Sequence, residues 1–150
     1  MKIYHIQTRP NIKLRIIATL IDYGIYFTVA ITYIMFFGEE NGNGTTSVNG
    51  LAALPVFILW FLYFVVTEAV NQATPGHDIC KLKVVGMKGE KIGFTQAFKR
   101  RVVDPIDLLP YGIPAFICIN KTPKYQRLGD LFAETLVVKR SDIVEEEVSF

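Results

Sequence analysis

Ile16-Ile-Ala-Thr-Leu-Ile-Asp22-Tyr-Gly-Ile-Tyr-Phe-Thr-Val-Ala-Ile-Thr-Tyr-Ile-Met-Phe-Phe37 decides the reading of the chain. It is about 22 residues with one ionisable side chain, Asp22, and as a helix it spans the roughly 30 Å hydrocarbon core of a bilayer. Lys2, Arg9, Lys13 and Arg15 precede it, as in a signal peptide. The apolar run is too long for that, since signal cores have about 7 to 15 residues, and no small-residue cleavage site follows. A second run, Leu51 to Val70, is of similar length, with Pro55 in its first turn and Glu68 at its far end. Both are read as transmembrane helices.

Working outward, Gly38 to Gly50 carries Glu39 and Glu40 but no Lys or Arg, and its Asn-Gly-Asn-Gly composition reads as an open loop. The other flanks are basic: residues 1–15, and residues 71–101 with Lys81, Lys83, Lys88, Lys91, Lys99, Arg100 and Arg101. The positive-inside rule makes both flanks cytoplasmic, so the chain is expected in an inner (cell) membrane, multi-pass, with a cytoplasmic N-terminus. A third apolar segment, Val102 to Ile119, is broken by Pro105, Pro110, Gly112 and Pro114 and carries Asp104 and Asp107. Its longest uncharged run, Leu108 to Asn120, is about 13 residues, and both of its flanks are basic, which favours a re-entrant hairpin over a third span. The Pro110 to Pro114 stretch would be its unwound turn. The fold expected is therefore a mainly α-helical integral membrane protein with two transmembrane helices, a Pro-broken third segment (re-entrant hairpin or third span) and short cytoplasmic β-strands.

Those strands are read at Lys81–Val85 and Lys91–Phe94, a hairpin, with Thr135–Lys139 completing one small sheet. Thr95 is the expected N-cap of an amphipathic helix that lays Lys99, Arg100 and Arg101 on anionic lipid headgroups. Residues 1–140 read as one membrane domain, and 141–150, with Glu145, Glu146 and Glu147, as an acidic flexible tail.

Composition narrows the function. The chain has 150 residues, 51% hydrophobic and 20% charged, with a net charge of +2, and shows no continuous basic face for nucleic acid. Cys80 and Cys118 form no CxxC pair, and His5 and His77 are isolated, so no metal or cofactor is expected. No phosphate-binding Gly loop and no GxSxG elbow occur, and an enzyme is not expected. What stands out is charge at membrane depth. Arg15 and Asp22 lie two turns apart on one helix face, and Arg15 is expected to pair with Glu68 at the cytoplasmic boundary. Asp22 lies deeper, where a carboxylate needs a partner; Arg100 or Arg101 would fix it structurally, and a cation or proton would make it a transport site. Arg100 and Asp107 echo the Arg15 and Asp22 spacing.

The segment Leu14-Arg15-Ile-Ile-Ala-Thr-Leu-Ile-Asp22 resembles the opening of the RDD family of small, mostly bacterial membrane proteins. Thr74-Pro75-Gly76 followed by Lys81–Val85, and then Gln126-Arg127-Leu-Gly-Asp130-Leu-Phe-Ala-Glu-Thr135, are similar to the family's later segments in the same order. The resemblance implies an inner-membrane protein, often described with three spans and named for an arginine and two aspartates, with transport proposed and substrates undefined. Arg15 and Asp22 match the first two; the second aspartate carries onto Asp130, with Asp107 as the other candidate. His77 stands where the family usually has Lys. Two functions follow. In one, Asp22, Asp107 and Asp130, with Arg15, Glu68, Arg100, Arg101 and Arg127 as charge partners, serve proton-coupled cation exchange in a homo-oligomer. In the other, the chain is a non-transporting scaffold or accessory protein that binds lipid headgroups or a protein.

Overall fold

The computed structural model describes residues 2–109 and 111–147. Two long helices dominate it: α1 (Ile12–Phe37) and α2 (Gly50–Asn71), the two described helices long and apolar enough to cross a membrane. The backbone of α1 satisfies its own polar groups, and the hydroxyls of Thr28 and Thr32 donate back to the carbonyls of Gly24 and Thr28, each at 2.7 Å. Such internal pairing is what hydrocarbon demands of a spanning segment. Pro55 sits in the first α-helical turn of α2, where its missing N–H is harmless. From Phe61 to Val66 the helix widens into a π-helical stretch that buries Phe64 and Val65. Phe64 packs on Tyr23 and Tyr26, with ring centroids 4.8 and 5.6 Å apart, while Tyr33 donates to the Ala52 carbonyl at 3.0 Å nearer the far end. These contacts make the pair antiparallel. Their outer faces stay apolar and exposed, as at Leu20, Phe36, Phe57 and Leu62. An apolar surface of that extent is lipid-facing.

At the far end, β2 (Glu39–Asn41) and β3 (Thr45–Ser47) close the connection as a short hairpin, not the open loop expected. The remaining elements gather at the near end. They are β1 (Lys2–Ile6), α3 (Pro75–Ile79), β4 (Leu82–Gly86), α4 (Phe94–Val102), α5 (Asp104–Leu108), α6 (Ile113–Lys121), α7 (Leu128–Ala133), β5 (Thr135–Lys139) and β6 (Ile143–Glu147). β4 pairs antiparallel with β5, over a core of Leu82, Val84 and Val137 on one side and Val85, Leu136 and Val138 on the other.

Several expectations change here. Lys91–Phe94 forms no strand: the chain turns at Gly86, whose N–H donates to the Glu90 carbonyl at 2.9 Å, and β5 occupies the place beside β4. Gly93, not Thr95, caps α4, because the Gln96 side chain reaches back to the Gly93 N–H at 3.1 Å. Residues 143–147 are no free tail; they pair with 2–6, Tyr4 opposite Glu145, so the two ends of the described chain are tied together. The third segment is two short helices, α5 and α6, and Pro110 of its expected unwound turn lies outside the described residues.

The Arg–Asp echo in the sequence extends into the backbone. Gly129 follows Gly76 by the interval that separates Glu134 from Lys81, Tyr125 from Gln72 and Val137 from Val84. Gln72 and Lys81 have left-handed φ of 60° and 57°, and their counterparts Tyr125 and Glu134 have 54° and 55°. The same interval turns the pair Leu82↔Lys139 into Thr135↔Gly86, itself a pair, so the β4–β5 ladder is symmetric about Val84↔Val137. Each half thus runs from an Arg–Asp helical segment through a second helical segment to a short helix opening near a glycine, then a strand. The glycines mark close approach. A Cβ on Gly76 would overlap the Ala18 carbonyl and lie 2.9 Å from Asp22 Oδ1; one on Gly129 would lie 2.8 Å from the Arg100 carbonyl oxygen. Gly76→Ala and Gly129→Ala are each expected to lower stability by about 1–3 kcal/mol, the usual cost of overpacking, whereas Gly24→Ala, with open space around it, leaves the melting temperature of the detergent-purified chain nearly unchanged.

Candidate functional site: a buried charge cluster

Where α1 and α2 meet the near-end layer, ionisable side chains pack out of solvent. Arg100, on α4, is fully buried. Its Nε donates to Glu68 Oε1 at 2.7 Å, and its Nη1 donates both to Asp130 and, at 3.2 Å, to the Thr135 hydroxyl. Arg101 donates to the other Glu68 oxygen and to Asp104 Oδ2 at 3.1 Å, with its guanidinium 5.0 Å from the Phe64 ring centroid. Arg127, at the start of α7, reaches Asp104 at 2.8 Å, Asp130 at 3.6 Å and Asp107 at 3.8 Å. Arg15 completes the group, 3.5 Å from Asp130 and donating to the Val137 carbonyl at 3.1 Å. Arg15, Arg100, Arg101 and Arg127 are thereby set against Glu68, Asp104, Asp107 and Asp130. That balance is what allows burial, because an ion moved out of water costs several kcal/mol unless it is paired and hydrogen-bonded.

The local sequence explains how each group arrives. Arg100 and Arg101 are adjacent on α4, so their side chains diverge and each can take one oxygen of Glu68. Asp107 lies on α5 and accepts the N–H groups of Leu128 at 3.1 Å and Gly129 at 2.9 Å, at the exposed N-terminal amides of α7. Asp130 accepts the Arg127 N–H at 3.2 Å within that same turn. Burial by itself would raise the Asp130 pKa, but Arg100, Arg127 and Arg15, with that backbone bond, outweigh it and hold the carboxyl below the usual range.

Asp22 stands in a neighbouring pocket of its own. Its Oδ1 accepts the Gly76 N–H at 2.7 Å and the Tyr63 hydroxyl at 3.2 Å; its Oδ2 accepts the Thr74 hydroxyl at 2.5 Å and lies 3.2 Å from His77 Nδ1. Burial lowers the His77 pKa despite the hydrogen bond to Asp22, which favours the neutral imidazole. Among the described residues no group of three or more His, Cys, Asp and Glu is placed to hold a metal.

The structure therefore gathers Arg15, Glu68, Arg100, Arg101, Asp107, Arg127 and Asp130 into one cluster, with Asp22 beside it, but pairs them differently from expectation. Arg15 meets Asp130, not Glu68, because Arg100 and Arg101 take both Glu68 oxygens. Asp22 meets no arginine: the N-terminus of α3 supplies its donors. His77 is not isolated but beside Asp22. Of the basic trio of α4, expected together on a helix surface, Arg100 and Arg101 are buried and Lys99 alone is exposed, 5.6 Å from the Phe132 centroid. Thr74, Gly76, Tyr63, Thr135, Gly129, Asp104 and Tyr23, whose hydroxyl donates to Asp104 Oδ2 at 2.7 Å, join the site without having been singled out as site residues. The Thr-Pro-Gly triplet carried a signal for the first two, because a Thr before Pro-Gly is a helix N-terminus with free amides.

A hairpin of two membrane-length helices, closed at one end by a charge-compensated cluster, defines a small helical membrane protein. The RDD family model matches residues 9–134, and the chain belongs to the RDD family. The comparisons with curated proteins and with solved structures gave no match.

Two outcomes test the cluster. Glu68→Ala strands two buried guanidiniums and is expected to cost about 3–5 kcal/mol. Arg140→Ala removes an exposed pair with Asp78 and should cost about 1 kcal/mol or less. Thermal unfolding of the detergent-purified chain, followed by Trp60 fluorescence, separates them. Because the folded Asp130 pKa is depressed, its contribution is fully present above the ordinary aspartate value of about 3.9 and is lost as pH falls toward the lower folded value. Asp130→Asn should flatten that part of the acid-stability curve.

Proposed function

We propose that the chain is a non-catalytic inner-membrane module in which two spanning helices, with the N-terminus cytoplasmic, anchor a cytoplasmic layer of short helices and strands, and that it acts as an accessory protein, not as a cation exchanger. The observation that carries this is the pairing of the carboxylates, each held by a guanidinium or by hydrogen-bond donors of the protein. Glu68, Asp104 and Asp130 are held by guanidiniums, Asp107 by backbone amides and Arg127, and Asp22 by Gly76, Thr74, Tyr63 and His77. A cation site needs carboxylate oxygens free to replace water, and Asp22 and Asp107 are drawn to different helix N-termini instead of to each other.

In this reading the third segment re-enters the membrane from the cytoplasmic side. Asp104, at its start, lies 2.8 Å from Arg127, beyond its end, which supports entry and exit at one level. The pairing of residues 2–6 with 143–147 supports the same arrangement, since it joins the two ends of the chain on one side. Proton-coupled exchange is the second reading, favoured by one feature: Asp22 on a spanning helix is hydrogen-bonded to His77, a group able to take a proton. It would need a second copy to enclose a pathway.

Reporters active only in the cytoplasm, fused separately to each end, are expected to be active at both; an inactive C-terminal fusion would establish a third span. In inverted vesicles the chain is expected to drive no cation-dependent pH change, and Asp22→Asn to lower abundance. A flux lost in Asp22→Asn at normal abundance would establish exchange instead.

A further inference from the structure

A cavity of about 1060 Å³ opens between α1 and the broken third segment, beside the charge cluster. Its two ends differ in chemistry. The walls are apolar: Ile16 and Leu20 come from α1, Leu108 and Leu109 from the end of α5, and Ile113 and Phe116 from α6. Leu20 and Leu109 are 69% and 70% exposed on a surface that faces hydrocarbon in the proposed placement. At the other end Arg15, Arg100 and Arg101 line the cavity, only 7%, 0% and 3% exposed. Each keeps a buried N–H without a hydrogen-bond partner in the protein: Nε of Arg15, Nη2 of Arg100 and Nε of Arg101. Leaving one such donor unpaired costs about 1–3 kcal/mol, and more where the group is charged.

We propose that this cavity binds a phospholipid with an anionic headgroup, its phosphoryl oxygens accepting from Arg15, Arg100 and Arg101 and an acyl chain lying against the apolar walls. The volume is at the upper end of the range of about 300–1,000 Å³ typical of small-molecule sites, room for a headgroup and a length of chain. Guanidinium N–H groups match the geometry of phosphoryl oxygens, and hydrogen bonds between such charged partners are the strong kind. Asp104 also lines the cavity, and its Oδ1 accepts no hydrogen bond, but Arg101 and Arg127 lie 3.1 and 2.8 Å from its two oxygens and offset its charge. This site is distinct from the surface contact expected of the α4 basic trio. It is internal, and two of those three residues reach it from below the surface. The inference deepens the accessory reading by naming a ligand class, and it rests on that reading's membrane placement.

Native mass spectrometry of the full chain in a neutral detergent tests it, with phosphatidylglycerol, phosphatidylcholine and inorganic phosphate as separate probes. Phosphatidylglycerol is expected to bind about tenfold or more tightly than phosphatidylcholine, and inorganic phosphate not to compete at equal concentration. Arg15→Gln should weaken phosphatidylglycerol by about tenfold or more, as the loss of a charged donor implies. Leu109→Trp, which fills an exposed wall position away from the charge cluster, should reduce occupancy with the melting temperature retained, and it decides the matter if Arg15→Gln fails to fold. Equal binding of the two lipids, or binding unaffected by Leu109→Trp, overturns the proposal. Phosphate competing as strongly as the lipid reduces the site to a phosphate site and overturns the lipid assignment. Cation flux in vesicles bears on the accessory reading alone, so the two can fail separately.

Discussion

Arg100 is the point through which the parts of this molecule are joined. Its guanidinium bonds Glu68 at the near end of the second long helix, Asp130 in the short helix before β5, and Thr135 at the start of β5 itself. A side chain removed from solvent with a full charge is tolerable only if those partners hold their positions, so the membrane hairpin and the near-end layer are constrained together. Arg101 and Arg127 extend the constraint to Asp104 and Arg15 extends it to Asp130, which leaves little freedom for α1, α2, α4 and α7 to move independently.

The two halves of the chain that meet at this cluster also look alike. Each places an aspartate against the amides of a short helix opening near a glycine, and each follows with a strand that pairs with the other. The halves then diverge where their surroundings differ. The first carries a second helix of membrane length; the second carries only Ile113–Lys121 in that place. Position 77 holds a histidine that turns to Asp22, and its counterpart 130 holds an aspartate that gathers three arginines.

The membrane helices were legible because length and hydropathy are local properties: a run of about 20 apolar residues has few other uses. The broken character of the third segment was legible for the same kind of reason, since Pro105, Gly112 and Pro114 interrupt it whatever surrounds them. That Arg15, Asp22, Glu68, Asp107 and Asp130 need partners was legible too, because charge at membrane depth is costly, whereas Asp104 and His77 gave no such signal and join through tertiary contacts. What failed was pairing. Glu68 and Arg15 sit at one membrane level, which made their contact a fair expectation, but two adjacent arginines on α4 compete for the same carboxylate and win by geometry. The edge strands failed similarly: residues 143–147 carry Glu145 to Glu147 and read as solvated, yet a partner from the opposite end of the chain gives them a ladder.

By itself the sequence determined that this is a membrane protein of two apolar helices with a Pro-broken third segment, and that Arg15, Asp22 and Glu68 within or beside those helices need partners. Those properties depend on composition within a single stretch of chain. The tertiary structure alone decided which carboxylate each arginine holds, that Asp22 is satisfied by a helix N-terminus and His77, that β4 meets β5 in a register symmetric about Val84 and Val137, and that arginines with an unpaired N–H line an otherwise largely apolar cavity. The physical reason is that hydrogen bonds and ion pairs act over about 3 Å between groups far apart in sequence, and only the packed chain sets those distances.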